Sequence, residues 1–322
     1  MLPPLRSSHV VVTGGAGFLG SWLCERLLAD GARVTCVDSL VTGSAANVAG
    51  LRERPGFRFV EADVREGIPV DGGVDVVFHL ASLASPVHYQ RLPLDTLQVG
   101  ALGTEHALDL AARNGARFVL ASSSEVYGDP EEHPQRETYH GRVDPTGPRS
   151  MYDESKRFAE ALTAAHRAEL GTDTAIARIF NTYGPRMATD DGRLIPTLVG
   201  QALAGEPLTV FGDGMQTRSL CWVDDLIDGL IRLAASQEAG PVNLGSDDER
   251  SVAEIAALVL KVTGSSSPIH QVPPPAQDAR VRRPDLTLAH ARLGWAATTP
   301  LRVGLERVAA WFAESAATSL AS

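Results

Sequence analysis

Tyr152 and Lys156 stand four residues apart in the stretch Tyr152-Asp153-Glu154-Ser155-Lys156. On a helix, that spacing puts the two side chains on one face. An ammonium beside a phenol favours the phenolate and is expected to draw its pKa down from about 10. Such a tyrosine can take a proton from an alcohol while a hydride acceptor removes the hydrogen on carbon. Tyr and Lys also coat many solvated helix faces, so the pair alone does not identify an enzyme. Two further features sharpen it: the run Ser122-Ser123-Ser124-Glu125, and the glycines of Gly14-Gly15-Ala16-Gly17-Phe18-Leu19-Gly20.

Those glycines fit GxGxxG counted from Gly15 and GxxGxxG counted from Gly14. Glycine lets a backbone turn tightly and approach a pyrophosphate held at a helix N-terminus. Here the loop follows an apolar run, HVVVT over 9–13, and opens an amphipathic segment reaching about Asp30. Asp38 closes the next apolar run (33–38), where a carboxylate can bind the adenosine ribose and repel a 2′-phosphate. NAD is therefore expected over NADP. The cofactor-binding set is Gly14, Gly17, Phe18, Leu19, Gly20, Asp38, Asp63, Val64, Leu80, Ala81, Tyr152 and Lys156. Asp63 is the candidate adenine contact and reads equally as a strand-end turn residue.

The elements that must position these groups alternate. Strands are expected over 9–13, 33–38, 58–61, 75–80, 117–122 and 174–178. Helices are expected from the glycine loop to about 30, over 92–114, and from Tyr152 to near Gly171. Short apolar strands alternating with amphipathic helices imply a parallel sheet covered on both faces. The fold class is a doubly wound α/β (Rossmann) domain with a smaller C-terminal substrate-binding lobe. Residues 7–178 would form the NAD-binding domain, with 219–246 returning to it through a helix near 223–235 and a strand at 242–244. Residues 179–218 and 247–318 would form the nucleotide-sugar-binding lobe, with Pro273-Pro274-Pro275 as a spacer.

Composition sets outer limits. The chain has 322 residues, enough for a full core, and a net charge of -10, which argues against general nucleic-acid binding. Cys24, Cys36 and Cys221 are scattered without disulfide or zinc spacing, which fits a reducing cytoplasm. Met1-Leu2-Pro3-Pro4-Leu5-Arg6 has no apolar core or cleavage signature, and no run approaches a membrane span. Neither a metal nor a membrane partner is expected.

Several longer stretches resemble the extended short-chain dehydrogenase/reductase family that acts on nucleotide sugars. They are Ala121 to Pro130 (ASSSEVYGDP), His133-Pro134-Gln135, Gly147 to Arg157 (GPRSMYDESKR), Arg178 to Met187 (RIFNTYGPRM), Asp191-Gly192-Arg193, Gln216-Thr217-Arg218 and Arg283-Pro284-Asp285. Within the family the chain looks most like the UDP-glucuronate decarboxylases. Relatives that eliminate water typically carry Thr-Asp-Glu where Ser123-Ser124-Glu125 stands, and 4-epimerases carry small residues. The decarboxylases resemble Thr-Ser-Glu.

The resemblance implies a sequence of roles. Tyr152 would be the base for the sugar C4 hydroxyl, with Ser123 sharing that hydrogen bond. Lys156 would hold the nicotinamide ribose, and Glu125 would manage the proton at C5. Arg282 would lie near the sugar ring and carboxylate. Ser85, Tyr89, Asn181, Arg186, Arg193, Arg218 and Arg282 would bind the substrate, with Tyr183 as a further candidate. Arg186, Arg193 and Tyr183 have equally good structural readings, and His79 reads as a packed histidine. If the strand through Ser123 persists, Ser123 and Glu125 face the same way. Gly100 stands where the family carries Asn, and Ser123 where decarboxylases carry Thr. Both changes favour release of a 4-keto pentose over full reduction to UDP-xylose. A 4-epimerase acting on UDP-glucuronate and a non-catalytic NAD-binding regulator remain competing readings, and uracil and thymine nucleotides are not distinguished. A homodimer is expected through the 92–114 and Tyr152 helices.

Overall fold

The computed structural model describes residues 5–274 and 279–320, with side chains through 315. Residues 1–4 of the opening segment and Pro275 of the proline run lie outside the described residues. Strands β1 (His9–Thr13), β2 (Arg33–Asp38), β3 (Phe57–Glu61), β4 (Val76–His79), β5 (Arg117–Ser123) and β6 (Thr174–Ile179) join an edge strand, Pro241–Leu244, in one sheet. Among the described residues it is seven-stranded and parallel, in the order edge strand, β6, β5, β4, β1, β2, β3. The order reverses beside β1. The C-terminal ends of β1 and β4 therefore open a crevice where open α/β sheets bind ligands.

Alternation along β1 explains the two-sided burial. Val10 and Val12 face one apolar cluster, and Val11 faces the other. The first cluster runs without interruption into the C-terminal helices Leu194–Ala204, Val252–Thr263 and Leu301–Leu320 through Leu198, Ile255, Leu305 and Phe312. The second covers the opposite face and includes Tyr152, Tyr89 and Phe118. Local signals match the ends of the helices. Ser251 and Glu254 form a reciprocal capping box, and the catalytic-candidate helix Ser150–Leu170 stops at Gly171, whose φ of 69° is left-handed. Among the described residues no helix is long and apolar enough to cross a membrane.

Two expectations about local geometry are corrected. The helix expected over 92–114 is broken into Pro93–Gln98, a π turn at Val99–Gly103, and Thr104–Asn114. Such π turns insert one residue into the ladder and re-aim the flanking faces. Here the turn brings Gly100 against the catalytic helix: a Cβ on Gly100 would lie 2.6 Å from Cβ of Ser155. The missing asparagine side chain thus coincides with space that Ser155 fills. The second correction concerns β5, which ends at Ser123; residues Ser124–Tyr127 form a tight helical turn. Strand alternation does not orient Glu125. Instead Ser123 caps the turn, its hydroxyl accepting from the Glu125 N–H at 3.2 Å.

The contact at Gly100 is testable. Gly100→Ala should destabilise the fold by about 1–3 kcal/mol in denaturant unfolding. Ser155→Gly should recover part of that loss, giving a coupling of at least about 0.5 kcal/mol. Simple additivity of the two changes would mean that the helices do not meet there.

Candidate active site

A cleft of about 980 Å³ runs along the C-terminal ends of the strands, from the glycine loop to Arg218 and Arg282. That is near the top of the range for small-molecule sites, roughly 300–1,000 Å³. Gly14, Gly17, Phe18, Leu19, Gly20, Asp38, Asp63, Val64, Leu80, Ala81, Tyr152 and Lys156 all line it. The structure also resolves the glycine register. Gly14 has φ 68° and a Cβ there would lie 2.7 Å from the Ala81 nitrogen; a Cβ on Gly20 would collide with the Gly14 carbonyl. Gly15 faces Cys36 rather than the cleft. The GxxGxxG register from Gly14 is the one that shapes the cradle.

These residues fit NAD. One Asp38 carboxylate oxygen accepts from the Ala16 N–H and the other from the Leu40 N–H, both at 2.9 Å. Each oxygen keeps a lone pair for a ribose hydroxyl. Burial raises the Asp38 pKa, opposed by those backbone N–H groups. Asp63 is held by Arg65 in a paired contact (2.9 and 2.6 Å), which lowers its pKa and leaves it a mostly structural anchor on the cleft wall. His79 is a packed histidine as expected: Nδ1 meets the Thr13 hydroxyl at 2.8 Å and Nε2 the Thr104 hydroxyl at 3.3 Å. Burial, with the nearby Lys156 charge, lowers its pKa to about 3, so it stays neutral.

The Tyr152–Lys156 pair is present, but its electrostatics differ from the sequence expectation. Lys156 Nζ donates to the Ala121 carbonyl at 2.9 Å and lies 5.8 Å from the centre of the Tyr152 ring. Burial lowers the lysine to about 8. Burial also pushes the Tyr152 phenol above its ordinary value; a hydrogen bond with Ser123 opposes this, whereas Glu125 and Asp153 add to it. The expectation that Lys156 acidifies Tyr152 therefore fails in the protein alone. Desolvation of both groups outweighs their attraction.

Around Glu125 the structure assembles more charge than the sequence suggested. Arg282 Nη1 pairs with Oε1, and Arg149 Nη2 meets Oε2 at 2.7 Å. Burial alone would raise the pKa of Glu125; Arg282 and then Arg149 overturn that and bring it down to about 2. Glu125 is thus an anion in this arrangement and has no proton to give. Arg282 is already occupied rather than waiting for a sugar carboxylate. Arg149 also lies 5.8 Å from the centre of the Tyr89 ring, and Tyr89 stacks on Tyr152 at 5.3 Å. Neither Arg149 nor its neighbour Asp153 was assigned a role from sequence. Both sit inside the GPRSMYDESKR stretch, but no spacing rule points an N-terminal helix arginine at a glutamate 24 positions upstream.

The substrate-side candidates divide. Ser85, Tyr89, Asn181 and Arg218 line the cleft, and the Ser85 hydroxyl is tied to the Asp191 carbonyl at 2.7 Å. Arg218 is buried and donates to the carbonyls of Thr217 and Ala279 at 2.8 and 2.9 Å. Arg186 reaches the cleft wall but pairs with Glu25 and lies over the Trp22 ring. Arg193 pairs with Asp191, 2.6 Å from Nε to the carboxylate. Tyr183 donates to the Leu301 carbonyl at 3.2 Å, a packing role.

A model of the NAD dependent epimerase/dehydratase family matches residues 10–245. The chain belongs to this family. Within it, the chain is 46% identical over 304 residues to UDP-glucuronic acid decarboxylase 1 of Arabidopsis thaliana, covering 94% of this chain and 69% of that protein. Among solved structures it is similar to the UDP-glucuronic acid 4-epimerase of Bacillus cereus in complex with UDP-glucuronic acid and NAD. The identity there is 25%, with a TM-score of 0.84 and coverage of 95% and 99% of the two chains. It is likewise similar to the dTDP-glucose 4,6-dehydratase DesIV of Streptomyces venezuelae with NAD bound, at 28% identity, TM-score 0.86 and coverage of 96% and 98%. An epimerase/dehydratase scaffold with Asp38 in this position makes one prediction about the cofactor. Asp38→Ala should raise the dissociation constant of NAD about tenfold or more in a fluorescence titration, and an unchanged constant would remove Asp38 from the ribose site.

Proposed function

We propose that this chain is an NAD-dependent decarboxylase of UDP-glucuronate, acting through a 4-keto intermediate to give UDP-xylose, UDP-4-keto-pentose, or both. The observation that carries the reading is the Arg282–Glu125–Arg149 cluster beside Tyr152 and Ser123. A uronate carboxylate needs a cationic partner at C6, and an epimerase that rotates its sugar has no use for a fixed charge cluster there. The similarity to UDP-glucuronic acid decarboxylases over 94% of the chain supports the same substrate. Residues 7–178 with 219–246 would hold the cofactor, and 179–218 with 247–318 the nucleotide sugar.

Cleaving the C5–C6 bond directly would leave an unstabilised carbanion at C5. With a ketone at C4 the sugar is a β-keto acid, and the bonding electrons pass into the C4 oxygen as an enolate. NAD, held by Gly14, Gly17, Gly20, Asp38 and Lys156, supplies reversible hydride acceptance at C4 and, when oxidised, a positive ring that favours a nearby phenolate. Tyr152 takes the C4 hydroxyl proton and later returns it to the enolate oxygen, with Ser123 sharing the hydrogen bond. Lys156, fixed by the Ala121 carbonyl, sits where it can meet the nicotinamide ribose. Arg282 orients the uronate carboxylate, and Arg218 and Asn181 suit diphosphate oxygens. Glu125 serves the proton that C5 requires once carbon dioxide has left.

A homodimer is the proposed assembly. Leu94, Leu102 and Phe158 are exposed on the 93–114 segment and the Tyr152 helix, and a second copy of the chain would cover them. The three cysteines are free and buried, in keeping with a reducing cytoplasm.

A nuclear magnetic resonance time course with NAD and UDP-glucuronate tests the activity. Carbon dioxide and a UDP-pentose should appear, and Tyr152→Phe should slow their formation by at least about 100-fold. Formation of UDP-galacturonate instead would replace the proposal with epimerisation. Sedimentation should give a dimer, and Phe158→Glu should shift it toward monomer; an unshifted dimer would place the interface elsewhere.

A further inference from the structure

Asp153 is 6% exposed and lies on the first turn of the Tyr152 helix, yet its Oδ1 atom has no hydrogen-bond partner. A buried carboxylate oxygen left unpaired is costly and uncommon. Its cationic neighbour is Arg149, whose Nε lies 4.0 Å from Oδ2 and whose Nη2 holds Glu125. The charged and titratable groups facing Asp153 are Glu125 from the turn after β5, Arg282 from the C-terminal lobe, Tyr89 from the helix Pro86–Arg91, and Arg149, Tyr152 and Glu154 from its own helix and cap. Glu125 and Arg149 line the cleft, whereas Asp153 stands behind them.

Charge counting around Glu125 then separates two states. In the protein alone, two carboxylates, Glu125 and Asp153, share two arginines, Arg149 and Arg282. Arg218 adds a third positive charge whose influence on Glu125 is the weakest of the three. A hexuronate brings a third carboxylate. Once it pairs with Arg282, Glu125 must rely on Arg149, and Asp153 competes for that same guanidinium. One carboxylate is in excess, and the low-dielectric cluster relieves the excess by taking up a proton.

We propose that Arg149 and Asp153 are a positioning pair that lets Glu125 become protonated when the uronate carboxylate takes over Arg282. The inference rests on the reading of the substrate as a uronate. It also resolves the mismatch between a glutamate locked as an anion and a C5 carbon that needs a proton. The balance closes: the C5–C6 bond breaks, carbon dioxide leaves, its bonding pair becomes the enolate, and C5 takes the proton from Glu125. The proton taken from solvent on binding is the one that decarboxylation consumes overall.

Calorimetry in two buffers of different ionisation enthalpy tests this, with protein holding NADH so that the sugar is not oxidised. At pH 8, above the value of about 7 to which burial and the Glu125 charge raise Asp153, binding of UDP-glucuronate should take up close to one proton. UDP-xylose, which lacks the carboxylate, should take up none. Asp153→Asn removes the excess carboxylate and should abolish the uptake, whereas Arg149→Lys preserves the charge count and should retain it. Uptake undiminished in Asp153→Asn, or equal for the two sugars, would overturn the proposal. Should Asp153→Asn fail to fold, loss of uptake in Arg149→Lys would overturn it too, as would no uptake by the unmodified protein. In turnover, Asp153→Asn should lower kcat about tenfold more at pH 8 than at pH 6, one unit of change at Glu125 being tenfold in its protonated fraction, with KM unchanged. A uniform loss at both pH values would reduce Asp153 to a structural residue. Carbon dioxide release by the unmodified protein is measured separately, so failure of the uronate reading is distinguishable from failure of the relay.

Discussion

A carboxylate gripped from two sides is what the chemistry of this site depends on. Glu125 arrives on the turn after β5, Arg149 at the start of the Tyr152 helix, and Arg282 from the C-terminal lobe. Burying three such charges is unfavourable unless they meet in good geometry, and removing one leaves its partners uncompensated. The sheet, the glycine loop and the lobe can each be seen as supports that bring these groups beside a phenol and a cofactor cradle. The cluster also gives the cleft a preference: it suits a ligand that brings its own carboxylate.

Most of the architecture was legible in the sequence, for identifiable reasons. Apolar runs such as HVVVT, glycines at the loop, and Gly171 after the long helix are local signals, and each acts in the structure as its chemistry suggests. The site was legible wherever its residues were neighbours in sequence or ended a strand: Tyr152 with Lys156, Asp38, and the Ser123 to Glu125 run. What could not be read was pairing between distant segments. No periodicity ties residue 125 to residues 149 and 282, and a π turn that seats Gly100 on Ser155 depends on how two helices pack.

Electrostatics were the least legible property of all. A lysine near a tyrosine suggests an acidified phenol, but both groups are almost wholly buried, and desolvation acts on each before they act on one another. The same burial, applied to Glu125, is reversed by two arginines. Sign and size of a pKa shift therefore follow from which side chains share a low-dielectric pocket, a fact of tertiary structure. The consequence for the reaction is that the protein alone is poised for binding more than for proton transfer. The charges of the cofactor and the sugar complete the arrangement.

A crystal structure with NAD and UDP-glucuronate bound bears most directly on this picture. The Arg282 guanidinium is expected on the uronate carboxylate, turned away from Glu125, with the C4 hydroxyl within hydrogen-bond reach of Tyr152. An intact Arg282–Glu125 pair with the uronate carboxylate lodged elsewhere would contradict it.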